Sequence, residues 1–224
     1  MSGAAQTYGE GAFDRALASA TPVYPVAQDG SLPKLVPGAH CYLLARDGLY
    51  VAGRSDTVAA VIRVAELPRQ TSFGAIQERL ELINGPVPFD LLEACASDAI
   101  ARSPIEWGGA IVADAAGGYE YFEPVADGAT PVSLTYRRDS YPDERLVVDL
   151  HSHGEGPAYF SPTDDASDAE GIHVAVVLGR CQRAETLEMT SRLTINGWFR
   201  EVPAGWWLTG ARVAAGPGPL RVNS

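Results

Sequence analysis

Apolar residues in this chain fall mostly into short alternating or continuous runs, and strands are the elements those runs predict. Residues 40–46 and 49–53 read as two strands joined at Asp47-Gly48, a two-residue hairpin signal. Residues 58–64 form a third, β-branched run. Residues 77–83 fit a helix or a strand. The cluster Asn84-Gly85-Pro86-Val87-Pro88 breaks any regular element and predicts a boundary. Beyond it, Phe89, Leu92, Ala96, Ala99 and Ile100 recur near the helical period, predicting a helix over 89–102 with Pro88 at its start. Strands follow at 105–113 and 119–124 around a turn at 115–118. The near-continuous apolar runs 145–150 and 173–178 predict strands buried on both faces. Residues 189–195 and 198–202 flank Asn196-Gly197, a hairpin turn signal.

This order divides the chain into four parts. Residues 1–20 are expected to be a flexible N-terminal arm, or to carry a short helix around 13–18. Residues 21–84 make a small β-rich N-terminal domain. Residues 85–210 make an α/β (α+β) domain, a mixed sheet flanked by helices. Residues 211–224, with their Gly-Pro-Gly-Pro run, are a flexible tail. The break at 84–88 is expected to act as a linker, so that 86–224 folds without the N-terminal part.

The 224 residues carry 17 Lys+Arg against 28 Asp+Glu, a net charge of −11. A surface of that sign repels polyanions, so nucleic acid is not an expected partner. The one adjacent basic pair, Arg137-Arg138, reads as a solvated loop. No apolar run is long enough to span a membrane, and the first 15 residues lack the pattern of a secretory signal. Three separated cysteines, Cys41, Cys95 and Cys181, suggest no disulfide framework and a cytoplasmic setting.

Candidate chemistry is concentrated in residues 149–165, Asp-Leu-His-Ser-His-Gly-Glu-Gly-Pro-Ala-Tyr-Phe-Ser-Pro-Thr-Asp-Asp. A predicted strand ends by delivering His151 and His153. Positions i and i+2 of an extended segment face the same way, so both imidazoles can address one point. Ser161 can cap a short helix beginning at Pro162, which puts Asp164 in the first turn. Read alone, Ser161 to Asp164 is a capping box and a His-x-His pair can be structural packing. Together they supply two imidazoles and a carboxylate, three ligands with a position left for water, the donor set of a catalytic zinc. Asp165 is adjacent to Asp164, but side chains one apart on a helix diverge by about 100°. His40 and His173 read as packed residues, and Ser152 points away from the two histidines.

The spacing His151-Ser152-His153, seven residues, then Ser161-x-x-Asp164 resembles the motif of the JAMM/MPN+ (JAB) zinc metalloproteases. The resemblance covers about residues 88–205 and implies an MPN/JAB, cytidine-deaminase-like fold. It implies one Zn2+ per chain on His151, His153 and Asp164. It also implies a catalytic glutamate after the first helix, a place that Glu106 fills. Gly154 departs from the family, in which Pro often follows the second histidine. The wider pattern resembles a narrower bacterial group, the protein A components of PRTRC cassettes, which implies neighbours similar to a ubiquitin-activating enzyme and a ubiquitin-like protein.

The activity so implied is hydrolysis of a peptide or isopeptide bond at the C-terminus or conjugate of a ubiquitin-like protein. Glu106 would act as general base and then acid, and Ser161 would donate a hydrogen bond to the developing oxyanion. Three other readings stand beside it. They are a non-catalytic MPN scaffold that binds partners, a cupin-type or non-haem iron enzyme, and a nucleic-acid-associated role disfavoured by the charge.

Overall fold

The computed structural model describes residues 20–124, 126–130, 133–136 and 143–209. The arm helix expected at 13–18, the Arg137-Arg138 pair and the tail from 211 lie outside the described residues.

The N-terminal strands form one mixed sheet in chain order: β1 (Val23–Pro25), β2 (His40–Leu44), β3 (Gly48–Arg54), β4 (Val58–Glu66) and β5 (Arg79–Leu82). β1 runs parallel to β2, and the other neighbours are antiparallel. The first hairpin closes one residue earlier than expected. The Ala45 amide donates to the Gly48 carbonyl at 2.9 Å, so Arg46 and Asp47 are the turn and Gly48 already belongs to the strand. The segment at 77–83, open between helix and strand in the sequence, is a strand because β4 offers it an edge to pair with.

The second sheet has the order β13-β12-β11-β10-β6-β7. Its members are β6 (Gly108–Ala113), β7 (Tyr119–Phe122), β10 (Leu146–Ser152), β11 (Ile172–Gly179), β12 (Glu188–Ile195) and β13 (Trp198–Glu201). Only β10 and β11 pair in parallel, joined by a crossover that contains the short helix α2 (Pro162–Ser167). Every residue of β11 is buried, as its continuous apolar run predicts. Helix α1 (Phe89–Arg102) follows Pro88 and buries Leu92, Cys95 and Ala99. Asn196 and Gly197 have φ of 45° and 87°, the left-handed pair that a primed hairpin turn requires. The architecture is mixed α/β, with a β-rich N-terminal region and a sheet-plus-helix C-terminal region.

Two further features of the strands depart from the sequence expectation. A ribbon of β8 (Ala126–Thr130) and β9 (Ser133–Tyr136) stands apart from both sheets. In addition, residues 105–107 are a loop, and the strand begins only at Gly108. The ribbon accounts for this delay, because the Glu106 amide donates to the Thr130 carbonyl at 3.0 Å.

The break at 84–88 does not divide two cores. One face of the N-terminal sheet, with Cys41, Leu43, Tyr50, Ala52 and Val61, closes locally on Leu32, Leu35 and Ile76. The opposite face, with Val51, Val58, Ala60, Ile62 and Leu82, joins a single apolar cluster with Leu150, Ile172, Leu193 and Ile195 of the second sheet. Val87, inside the expected linker, is fully buried and bonds Trp207 and Thr209 through its backbone. Polar contacts cross the same seam. Asn196 Nδ2 donates to His40 Nδ1, and Trp198 Nε1 donates to the Tyr42 hydroxyl, each at 2.9 Å. Among the described residues no helix is long and apolar enough to cross a membrane.

Candidate metal centre

The parallel pairing of β10 with β11 sets His151 beside Val177 and Ser152 beside Leu178 in the middle of the second sheet. β10 then leaves the sheet at its end, and a loop runs back along the tip of β11. That loop is fastened by amide bonds from His153 to Leu178, Cys181 to Gly154 and Arg180 to Gly156. It leads to Ser161, the N-cap of α2. Ser161 Oγ accepts from the Asp164 amide at 3.2 Å, while Asp164 Oδ2 accepts from the Ser161 amide at 2.6 Å.

The capping box and the candidate ligand use different atoms of one carboxylate. With Oδ2 engaged in the cap, Asp164 Oδ1 lies 3.3 Å from His151 Nε2. His151 Nε2 lies 3.3 Å from His153 Nε2. The Nδ1–H of His153 donates to the Pro157 carbonyl at 3.1 Å, which leaves the Nε2 lone pair facing the other two groups. Zinc–nitrogen bonds of 2.0–2.1 Å in a tetrahedron place neighbouring ligand atoms about 3.3–3.4 Å apart. The donor set and these two separations fit such an ion. His151, His153 and Asp164 are one of two groups of metal-ligand type among the described residues.

The electrostatics follow from the same contacts. Burial pulls the His151 imidazole down, but the hydrogen bond and charge of Asp164, with the charges of Asp149 and Asp168, raise it on balance. Burial and the charge of His151 push His153 down, toward the neutral form that can ligate a metal. Burial alone would raise Asp164. The hydrogen bond and charge of His151 and the bonds from Ser161 hold it well below the usual carboxylate range instead.

Glu106 reaches this centre from the loop that leads into β6, a strand that pairs with β10 so that Gly108 faces His151. It is not one of the converging ligand atoms, but it lies close enough to feel the charges of His151 and Asp164. Burial raises its proton affinity, the His151 charge lowers it and Asp164 raises it again, for a net increase. Ser152 faces away from the two imidazoles and is fully buried. There it clamps the loop next to Glu106: Trp107 N–H donates to Ser152 Oγ at 2.9 Å, and Ser152 N–H donates to the Trp107 carbonyl at 2.7 Å.

Gly154 explains the departure at the position after the second histidine. Its φ is +53°, and a Cβ there would meet the Pro104 carbonyl oxygen at 2.3 Å. Proline, held near φ −65°, cannot adopt this backbone. The histidine loop and the Glu106 loop therefore touch backbone to backbone.

Three further parts of the site were missed in the sequence. The ribbon that holds Glu106 through Thr130 had no recognised signal. Asp149 lies two residues before His151 on the same strand, a spacing that could have been noticed. Arg192 is a lone charge in the otherwise uncharged run 189–195, which is itself a signal. Asp149 and Asp168 converge with His173 as the second group of ligand type. Arg192 Nη2 already supplies a fixed positive charge there, 2.7 Å from Asp168 Oδ2. His173 is buried, with Nδ1 3.4 Å from the Thr194 hydroxyl.

Residues 88–194 match the family described as prokaryotic homologs of the JAB domain. This segment is a prokaryotic JAB domain. Within it lie α1, Glu106, both candidate histidines, Asp164 and Arg192, so the JAB domain contains the whole candidate centre. Residues 11–83 match a domain of unknown function, DUF2016, which spans the N-terminal sheet. No curated protein matches the chain.

Proposed function

We propose that this protein is a zinc-dependent peptidase or isopeptidase that cleaves an amide bond at the C-terminus or conjugate of a ubiquitin-like protein. The observation that carries the reading is the convergence of the His151, His153 and Asp164 ligand atoms, His151 Nε2 standing 3.3 Å from both His153 Nε2 and Asp164 Oδ1, with Glu106 beside them. His151, His153 and Asp164 would hold the ion. A zinc so held lowers the pKa of its water to about 7 and polarises a carbonyl.

The chain's own residues supply the proton chemistry. The Glu106 carboxylate takes a proton from the attacking water and returns it to the leaving amine. Its raised proton affinity suits both halves of that exchange, since a group matched to the working pH gives and takes protons well. Ser161 Oγ accepts from the Asp164 amide, so its own proton is free to bond the carbonyl oxygen as charge develops there. Ser152 and Thr130 hold the loop from which Glu106 acts. The motif likeness supports a ubiquitin-like substrate, a partner similar to a ubiquitin-activating enzyme and a PRTRC-type cassette, and the three separated cysteines suit a cytoplasmic setting.

The test combines elemental analysis with hydrolysis of a ubiquitin-like protein bearing a C-terminal aminocoumarin amide. One zinc per chain and turnover that falls about 10²–10⁴-fold in Glu106→Gln, with zinc retained, are expected. Zinc loss in Glu106→Gln would make Glu106 a ligand and overturn the assignment. A wild-type protein without zinc or turnover would favour the non-catalytic binding module.

A further inference from the structure

We infer that Arg192 is a positioning residue for the metal site, fixing helix α2 and through it the Asp164 carboxylate; this rests on the zinc reading above. Helix α2 has six residues, none of them buried. A helix so short does not hold itself in place, and this one has no apolar face to anchor it. Asp164 nevertheless has to keep one oxygen within bonding range of a shared ion.

Arg192 supplies the missing anchor. It rises from the middle of β12, only 4% exposed, and reaches both ends of the helical segment. Its Nη2 and Nε lie 2.7 and 3.3 Å from Asp168 Oδ2 at the C-cap, and its Nη1 bonds Asp165 Oδ1. Its guanidinium carbon sits 3.9 Å from the Phe160 ring centroid and 4.1 Å from that of Phe199. Phe160 immediately precedes the N-cap, and the Asp168 amide donates to the Asp164 carbonyl at 2.8 Å. One planar cation thus grips the residue before the helix, a residue within it and the residue that closes it. Asp164, between these points, has no freedom to swing away from the histidines. Lysine would keep the charge but could neither fork between two carboxylates nor offer a planar cation to the aromatic rings.

The experiment measures zinc affinity by chelator competition and the visible spectrum of the Co2+-substituted protein, with far-ultraviolet circular dichroism as the check on folding. The proteins are the wild type, Arg192→Lys, the double variant Arg192→Met with Asp168→Asn, and Arg200→Lys as a control on the neighbouring strand. The double variant removes both members of the buried Arg192–Asp168 pair, so neither is left as an unpaired buried charge. Both Arg192 variants are expected to stay folded, to bind zinc about 10–100-fold more weakly and to show altered Co2+ bands, while Arg200→Lys matches the wild type. Folded Arg192 variants with wild-type affinity and spectrum would overturn the inference and leave the zinc reading intact. Loss of fold in both variants would also overturn it, since Arg192 would then be serving the core as a whole. A wild type that binds neither ion would overturn the zinc reading and the inference with it.

Discussion

Replacing Gly154 by alanine tests whether the two loops of the candidate site are held at backbone contact. Two costs can be worked out from the structure. At φ +53° an alanine occupies the left-handed region, at about 1–2 kcal/mol. Its Cβ would also stand 2.3 Å from the Pro104 carbonyl oxygen, about 1 Å inside ordinary contact. Overpacking of that kind costs about 1–3 kcal/mol. The opposing atom is main chain and cannot rotate away, so one of the loops has to move. The Glu106 loop is tied at Ser152 and Thr130, and the histidine loop at Leu178 and at the carbonyls of Gly154 and Gly156. A combined loss of about 2–5 kcal/mol corresponds to a fall in melting temperature of roughly 4–20 °C for a chain of this size. A displacement near 1 Å at Glu106 is expected to cost about 10²-fold in turnover. Thermal unfolding and hydrolysis of the aminocoumarin substrate measure the two effects. Gly205→Ala, where an added Cβ has nothing within 4 Å, is the control. If Gly154→Ala melts with Gly205→Ala and keeps its activity, the contact between the loops does not matter and the reasoning fails.

Three other outcomes are expected. Asp164→Asn strips zinc while Asp165→Asn keeps it, because Asp165 points to Arg192, and elemental analysis of both variants decides between them. A chain beginning at residue 86 is insoluble, since Val51, Val58, Ile62 and Leu82 leave the shared core. At about 1.5–3 kcal/mol each these four are comparable with the whole net stability of a typical protein; a soluble, cooperatively melting fragment would refute this. Burial raises the Asp168 carboxyl, but bonds and charge from His173 and Arg192 outweigh it and leave it lowered in the fold. The unfolded chain then binds the proton first. The stabilisation is complete above the ordinary value of 3.8 and drains away as pH falls below it toward the folded value. Denaturant titrations below pH about 4 should show a shallower acid limb in Asp168→Asn than in the wild type.

What was legible in the sequence was whatever neighbours in the chain decide. α1 spans Phe89–Arg102 because Pro88 opens it and Ser103-Pro104 closes it. The two histidines share a direction because a strand alternates, and Asp164 returns to them because a cap turns the chain at Ser161. The expectation that 84–88 separates two foldable units used only local breaking power. It could not register that Val87 is buried or that β3 and β4 need β11 and β12 to cover them. The ribbon behind Glu106 and the left-handed Gly154 are fixed by contacts across tens of residues, for which composition and periodicity carry no mark, and the lone charge of Arg192 in 189–195 marks a special residue without naming its partners.

The seam between the two sheets also sets a timetable for synthesis. The inner face of β3 and β4 is complete once residue 62 has been made, but Ile172 and Ile195, which close it, come more than a hundred residues later. At about 5–20 residues per second, that face waits on the order of ten seconds with valine and isoleucine uncovered beside a growing chain. The outer face, closed by Leu32, Leu35 and Ile76, has no such wait. The nascent protein therefore spends that interval as a half-finished sheet, sticky on one side only. Holdase chaperones that recognise extended apolar segments have a defined window in which to act on it.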